Sequence, residues 1–353
     1  MRNTFVSASI CLFVYFMSSC KSRGQDMNKE ERISHELHII DSLLQDEQYA
    51  ADMAAELDAA YYRGTGQKVP PFLTAREDSL NVSKPVKEEK IATNIAEFYA
   101  LECGLGLLCA QTNTTVYDQL QKILADQVSD SAVLLLKRFA NATWKAGQPF
   151  KGMARIKKAN FISSNELPAD EVEKDLRQIK AAAIKFSQVL RPGTMQEQMQ
   201  QVSTLLRDTV YTMHMAAFID SMYYIGQKQP APPFITPGEE SAVKQKSVRE
   251  EKIAMNLAGF YATECATNYL VTTTHKTPSE ILQSLVDGSM SKQDEELYAR
   301  FANATWKAGQ PFRSLNRISR DTFTPFYFLT KADIDKDLVQ VRAAAQKLLL
   351  SLK

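Results

Sequence analysis

One stretch, Arg-Phe-Ala-Asn-Ala-Thr-Trp-Lys-Ala-Gly-Gln-Pro-Phe, occurs twice without a change, at Arg138–Phe150 and Arg300–Phe312. Both tryptophans of the 353-residue chain lie inside it. A second block, Glu88–Cys103, keeps 12 of its 16 residues in Glu250–Cys265, and partners in both blocks stand 162 residues apart. The chain is an internal duplication, so any fold it adopts must accommodate the same pattern of elements twice.

That pattern is helical. Leu43, Ala50, Ala54, Leu57 and Tyr61 fall on one stripe, repeated by Leu205, Thr212, Ala216, Ile219 and Tyr223. Pro70-Pro71-Phe72 and Pro232-Pro233-Phe234 forbid helix and predict an extended strap with its Phe turned into the core. Thr74-x-x-Glu77 and Thr236-Pro-Gly-Glu239 read as capping boxes for a short helical turn. Ile91, Ile95, Phe98 and Leu105, mirrored by Ile253, Leu257 and Phe260, make the apolar face of a second long helix. A third helix is expected over Tyr117–Val128 and Pro278–Gly288. A fourth runs into the identical stretch, where Gly147 and Pro149, like Gly309 and Pro311, predict its end. The last helix carries Leu176, Ile179, Ala183, Phe186 and Leu190, mirrored by Leu338, Val341, Ala345 and Leu348. No strand-like alternation of useful length is present. The expectation is an all-α protein of two tandem bundles of about five helices each, over residues 28–191 and 192–353, related by a pseudo-twofold or a screw.

The N-terminus adds a location. A single charge at Arg2, an apolar run from Phe5 to Met17, and then Ser18, Ser19 and Cys20 make a secretory signal too short to span a bilayer. Small residues before a Cys resemble a bacterial lipoprotein signal, with Met17 where Leu is usual. The resemblance implies removal of residues 1–19, lipidation of Cys20, and a tether over 20–27. The paired repeats resemble helical lipoproteins of Gram-negative gut bacteria, a resemblance that carries no activity. Lys21-Ser22 does not match the acidic inner-membrane retention signal of enteric lipoproteins, and Lys21-Ser22-Arg23 lacks the acidic cluster that marks surface export. A lipid anchor in the outer membrane with the body facing the periplasm is expected.

A net charge of +1, without long runs of one sign, disfavours nucleic acid as a partner. Beyond Cys11 and Cys20, the thiols are Cys103, Cys109 and Cys265, which is no disulfide framework, although a Cys103–Cys109 bridge is one option. The four histidines, His35, His38, His214 and His275, face Glu197, Gln200, Asp52 and Asn113 in the other copy. Paired metal-ligand spacings, phosphate loops and nucleophile elbows are absent from the sequence. No cofactor or metal is expected.

Three sets of residues remain as candidates. On a helix, Arg138, Asn141, Lys145 and Gln148 share one stripe, as do Arg300, Asn303, Lys307 and Gln310. Such a stripe suits either recognition of an anionic or carbonyl-rich ligand, or a polar seam between helices. Glu102 and Glu264, set among apolar neighbours, are either proton-transfer groups or partners of an arginine, with Arg138, Arg155, Arg300 and Arg317 the candidates. Trp144 and Trp306 suit stacking on a sugar or a peptide side chain, or core packing at a helix end; Tyr61-Tyr62 and Tyr223-Tyr224 are placed to line a cleft. Together these point to a non-enzymatic binding lipoprotein whose partner is a protein or peptide, in one version a toxin acting in the periplasm. The alternatives are an envelope hydrolase or transferase using Glu102 or Glu264, and a structural or assembly lipoprotein.

Overall fold

The computed structural model describes residues 27–352. The expected signal, the lipidated Cys20 and the tether as far as residue 26 lie outside the described residues. The fold is all-α. The first repeat contributes α1 (Lys29–Leu44), α2 (Glu47–Gly64), the short α3 (Ala75–Ser79), α4 (Val86–Thr112), α5 (Val116–Leu124), α6 (Asp130–Lys151) and α7 (Ala169–Ser187). The second contributes α8 (Met195–Arg207), α9 (Thr209–Gly226), α10 (Pro237–Ser241), α11 (Val248–Asn256), α12 (Ala258–Thr274), α13 (Pro278–Val286), α14 (Lys292–Arg313) and α15 (Lys331–Ser351).

Local chemistry sets most boundaries. The first long segment divides at Asp46, whose carboxylate accepts from the backbone N–H groups of Gln48 and Tyr49 and so starts α2; Asp208 does the same for α9. Thr74 and Thr236 form the expected capping boxes with Glu77 and Glu239. The fourth helix does not stop at Gly147 or Pro149. It continues to Lys151, and its counterpart to Arg313, with the proline inside the last turn. Gly147 serves a different end: a Cβ there would stand 2.9 Å from the Phe312 ring, and one at Gly309 3.0 Å from the Phe150 ring. The glycines let the two helices approach closely.

A short ribbon also departs from expectation. β1 (Asn81–Pro85) pairs antiparallel with β2 (Val243–Ser247). Each strand is mostly polar and pairs only with its own copy, so neither carries the alternation of a half-buried sheet.

The relation between the repeats is a pseudo-twofold. Residues that touch their own counterparts must lie near its axis, and three such pairs do: Ser83 with Gln245 in the ribbon, Phe139 with Phe301, and Phe150 with Phe312. Contacts off the axis are exchanged reciprocally, as an isologous interface requires. Lys90 pairs with Glu239 and lies over Phe234, while Lys252 pairs with Glu77 and lies over Phe72.

The arrangement differs from two self-contained bundles in tandem. Helices α4, α6, α12 and α14 form a common centre, and one continuous apolar core runs through both repeats. Around it, α1 and α2 pack on α11, α13 and α15 of the second repeat, and α8 and α9 pack on α4, α5 and α7 of the first. The sequence junction at Arg191-Pro192-Gly193 lies inside a packing unit. Because α8 follows α7 after a short connector, it settles beside the helices it has just left. Helix α4 is long and apolar enough to cross a membrane, yet its apolar window is buried in this core.

Candidate functional site

The polar stripe of the identical stretch is buried: Arg138, Asn141, Lys145 and Gln148 retain at most 6% exposure, as do Arg300, Asn303, Lys307 and Gln310. Its lysines meet the two glutamates across the pseudo-twofold. Lys145 Nζ stands 2.6 Å from Glu264 Oε2, and Lys307 Nζ stands 2.5 Å from Glu102 Oε2. The arginines expected to pair with these glutamates are engaged elsewhere. Arg138 donates to the Ser164 carbonyl and to Asn165, while Arg300 pairs with Glu296 and lies over the Phe326 ring. Arg155 and Arg317 donate to Gln148 and Gln310. Lysine pairs with each glutamate because its position on the stripe stands opposite the dyad-related helix.

Each pair carries a thiol. Cys103 Sγ donates to Glu102 at 3.2 Å, and Cys265 Sγ donates to Glu264 at 3.0 Å. Burial first, and the adjacent carboxylate second, push both thiols well above the ordinary cysteine range. Burial alone would lower the Lys307 ammonium, but Cys103 and Glu102 hold it above its ordinary value. Cys103, Cys109 and Cys265 are all free thiols, so no Cys103–Cys109 bridge exists. These centres are structural clamps: they are sealed from solvent and already satisfied.

The accessible sites lie one helix turn away. Two open clefts flank the core, and their walls are built from equivalent residues. The first is lined by Asn94, Asn141, Trp144, Lys174, Asp175 and Gln178; the second by Asn256, Asn303, Trp306, Lys336, Asp337 and Gln340. Each is completed by a tyrosine of the opposite repeat, Tyr223 in the first and Tyr61 in the second. The tryptophans are half-buried, tilted against Phe161 and Phe323 at 5.8 Å between ring centroids. They are thus both the packing residues and the binding-surface residues that the sequence left open.

The clefts differ in size and charge. The first encloses about 350 Å³ and the second about 580 Å³. Glu97 projects into the first, and its counterpart in the second repeat is Gly259. Glu97 is 4% exposed and its Oε2 has no hydrogen-bond partner among the described residues. Burial, and then the charge of Asp175, push its carboxyl up to about 8. Asp175 and Asp337 are pushed up to about 7, again first by burial. Lys151, Arg155 and Lys158 also line the first cleft and make a basic cluster with no carboxylate within ion-pairing distance among the described residues. Burial and the neighbouring Arg155 push Lys151 down to about 8.

Sequence reasoning placed Asn141, Trp144, Gln148, Asn303 and Trp306 at a site, and they line the clefts; Lys145, Arg300, Lys307 and Gln310 do not, and Arg138 lines a separate open pocket with Ser164 and Asn165. Glu102 and Glu264 line neither. Glu97, Asp175, Asp337 and the basic cluster were missed. A signal existed for most of them: Lys174-Asp175-Leu176 returns as Lys336-Asp337-Leu338, and Lys151, Arg155 and Lys158 return as Arg313, Arg317 and Arg320. Among the described residues no group of three or more His, Cys, Asp or Glu is placed to hold a metal ion. Comparison of the chain with protein-family models, with curated proteins and with solved structures gives no match.

Proposed function

We propose that the protein is a non-enzymatic binding lipoprotein of a Gram-negative envelope, anchored in the outer membrane through Cys20 with its body in the periplasm, and that each cleft holds an extended peptide segment of a partner protein. One observation carries the reading: the same aromatic, amide and acidic lining recurs in two open clefts, each closed by a tyrosine of the other repeat. The chemistry suits a peptide. Trp144 and Trp306 offer faces for a side chain, the Asn and Gln amides match backbone donors and acceptors, and the basic cluster donates to carbonyl or carboxylate oxygens. Two clefts on one rigid body engage a single partner twice, which raises avidity without new contacts. A toxin entering the periplasm is a concrete partner, neutralised by occupancy.

The envelope hydrolase that would use Glu102 or Glu264 is disfavoured by their chemistry, since each carboxylate is spent on a buried lysine. A purely structural or assembly role leaves the open, repeated clefts without a purpose.

The chain offers its own assay, because its only two tryptophans lie one in each cleft. Titrating Trp144→Phe and Trp306→Phe variants with a random hexapeptide pool should produce a saturable change in emission from the tryptophan that remains. Tyr61→Ala should weaken the response of Trp306, and Tyr223→Ala that of Trp144. No change in either variant at millimolar peptide would overturn the reading.

A further inference from the structure

The duplication lets one repeat serve as a reference for the other at the arginine that opens the identical stretch. In the second repeat the Arg300 guanidinium is satisfied from within. Glu296, four residues back on α14, accepts from Nε at 2.8 Å, and the guanidinium carbon stands 4.2 Å from the centre of the Phe326 ring. Neither residue is kept in the first repeat, where position 134 is leucine and position 164 is serine. Arg138 donates through its two terminal nitrogens to the Ser164 carbonyl and to Asn165 Oδ1. Its Nε has no partner among the described residues, and neither has the Ser164 hydroxyl. Both side chains are more than nine-tenths buried. A buried guanidinium with an orphaned donor and no carboxylate of its own is costly. Glu264 acts on Arg138 only from a distance, and its charge is already matched by Lys145.

Arg138 and Ser164 line one open pocket of about 460 Å³, which shares only Leu167 with the first cleft. The rest of its wall is largely apolar, from Val133, Leu134, Leu167 and Val172. Lys137 adds a second cation where the second repeat has Ala299, although its charge is also felt at Asp175. The one carboxylate in the lining, the exposed Asp130, stands two turns of α6 from Arg138, roughly 12 Å along the helix. We propose that this pocket binds an aliphatic carboxylate: its charged group takes at Arg138 the place that Glu296 holds at Arg300, and its apolar body lies along Leu134 and Val172. The Ser164 hydroxyl and the Lys137 ammonium are further donors to the same group. Arg138 Nε is closed to solvent as the side chains stand, so the half-buried Leu134 turns aside when the carboxylate seats. A peptide C-terminus with an apolar last residue and a free fatty acid share this chemistry. The site stands apart from the two clefts and does not rest on the peptide-binding reading.

The test is a calorimetric titration with N-acetyl-leucine, its neutral amide and octanoate. Both acids should bind saturably, and N-acetyl-leucine at least tenfold more tightly than the amide, which differs from it only in the charge. Leu134→Glu copies the second repeat by giving Arg138 a carboxylate of its own. It should abolish binding of both acids while melting no lower than the parent. Octanoate the tighter of the two would mark a fatty acid as the source of the carboxylate, and N-acetyl-leucine the tighter a peptide C-terminus; either order supports the site. Equal affinity for the acid and its amide, no binding of either acid at ten millimolar, or binding that survives Leu134→Glu would overturn the inference. Because the first two outcomes are read on the parent protein, they decide the matter even if the variant fails to fold.

Discussion

Phe139 and Phe301, the same residue of the two repeats, lie face to face with ring centroids 4.0 Å apart and planes within 4° of parallel. Both are fully buried. The contact exists only because the pseudo-twofold passes between them, so it joins the repeats at the centre of the core. Truncating either ring to alanine should cost about 3–5 kcal/mol. The two truncations should not add: once one ring is gone the other has lost its partner, and a double-mutant cycle in urea should return a coupling of about 0.5–1.5 kcal/mol. Strict additivity would mean that the rings stabilise their own repeats independently.

The cross-repeat clamps make a second case. Lys145→Ala strands the Glu264 carboxylate with no countercharge, and Glu264→Ala strands the ammonium; each should cost about 3–5 kcal/mol. Replacing the pair together, Lys145→Met with Glu264→Leu, should recover most of that loss, because two apolar side chains of similar size need no solvation. Urea denaturation of the three variants decides it. A double variant as unstable as the singles would show that the Ser164 and Asn268 bonds to Glu264, and not the charge pair, carry the clamp.

Gly147 tests the close approach of α6 and α14. In an exposed helix interior Gly→Ala stabilises by roughly 1 kcal/mol. At position 147 the added methyl meets the Phe312 ring at 2.9 Å, so the change should destabilise by about 1–3 kcal/mol. Gly238, with nothing within 4 Å of its would-be Cβ, is the control, and its alanine variant should be neutral or slightly stabilising. Thermal melts that ranked the two in the opposite order would refute the packing argument.

The helices and the duplication were legible because both are local: apolar spacing, capping residues and self-similarity are all present in one dimension. The pairing of Lys145 with Glu264 was not, since the choice between Arg300 or Arg317 of the same repeat and a lysine of the other depends on which helix the pseudo-twofold brings opposite. Gly147 and Pro149 misled for the same reason. They look like a helix stop, yet the glycine is demanded by Phe312 from the other repeat. The clefts were half visible. Trp144 and Asn141 stood out through identity between the copies, whereas Glu97 is a difference between them, and a search for shared residues passes over it.

Stability against pH follows from the buried acids. Burial pushes Glu97 up to about 8, Asp175 and Asp337 up to about 7, and Asp41 up to about 6. Between the ordinary carboxylate range and these values the folded chain holds protons that the unfolded chain has released, so stability falls as pH rises. The unfolding free energy should therefore decline from about pH 5 to about pH 8. Lys151, pushed down to about 8, adds the opposite slope only above that window. Glu97→Gln should match the parent near pH 5 and exceed its stability near pH 8. A parent curve that rose with pH, or a variant no more stable than the parent at the alkaline end, would contradict the assignment of Glu97 as a buried, uncompensated acid.

The exchange of helices between repeats makes a last prediction about which part of the chain is a cooperative unit. The helices α4 to α9 are consecutive and pack on one another, whereas α1 and α2, which open the first repeat, touch it only through the segment 153–163 and pack mainly on α11, α13 and α15. A fragment from Leu80 to Gln229 should therefore melt more cooperatively than one covering residues 28–191, although both expose the central face that α12 and α14 cover in the whole chain. The 28–191 fragment is decisive: in it, α1 and α2 should exchange amide hydrogens much faster than α4 and α6, which retain protection. Equal protection across that fragment would mean that each repeat closes on itself, and that the exchange is a choice made only when both copies are present.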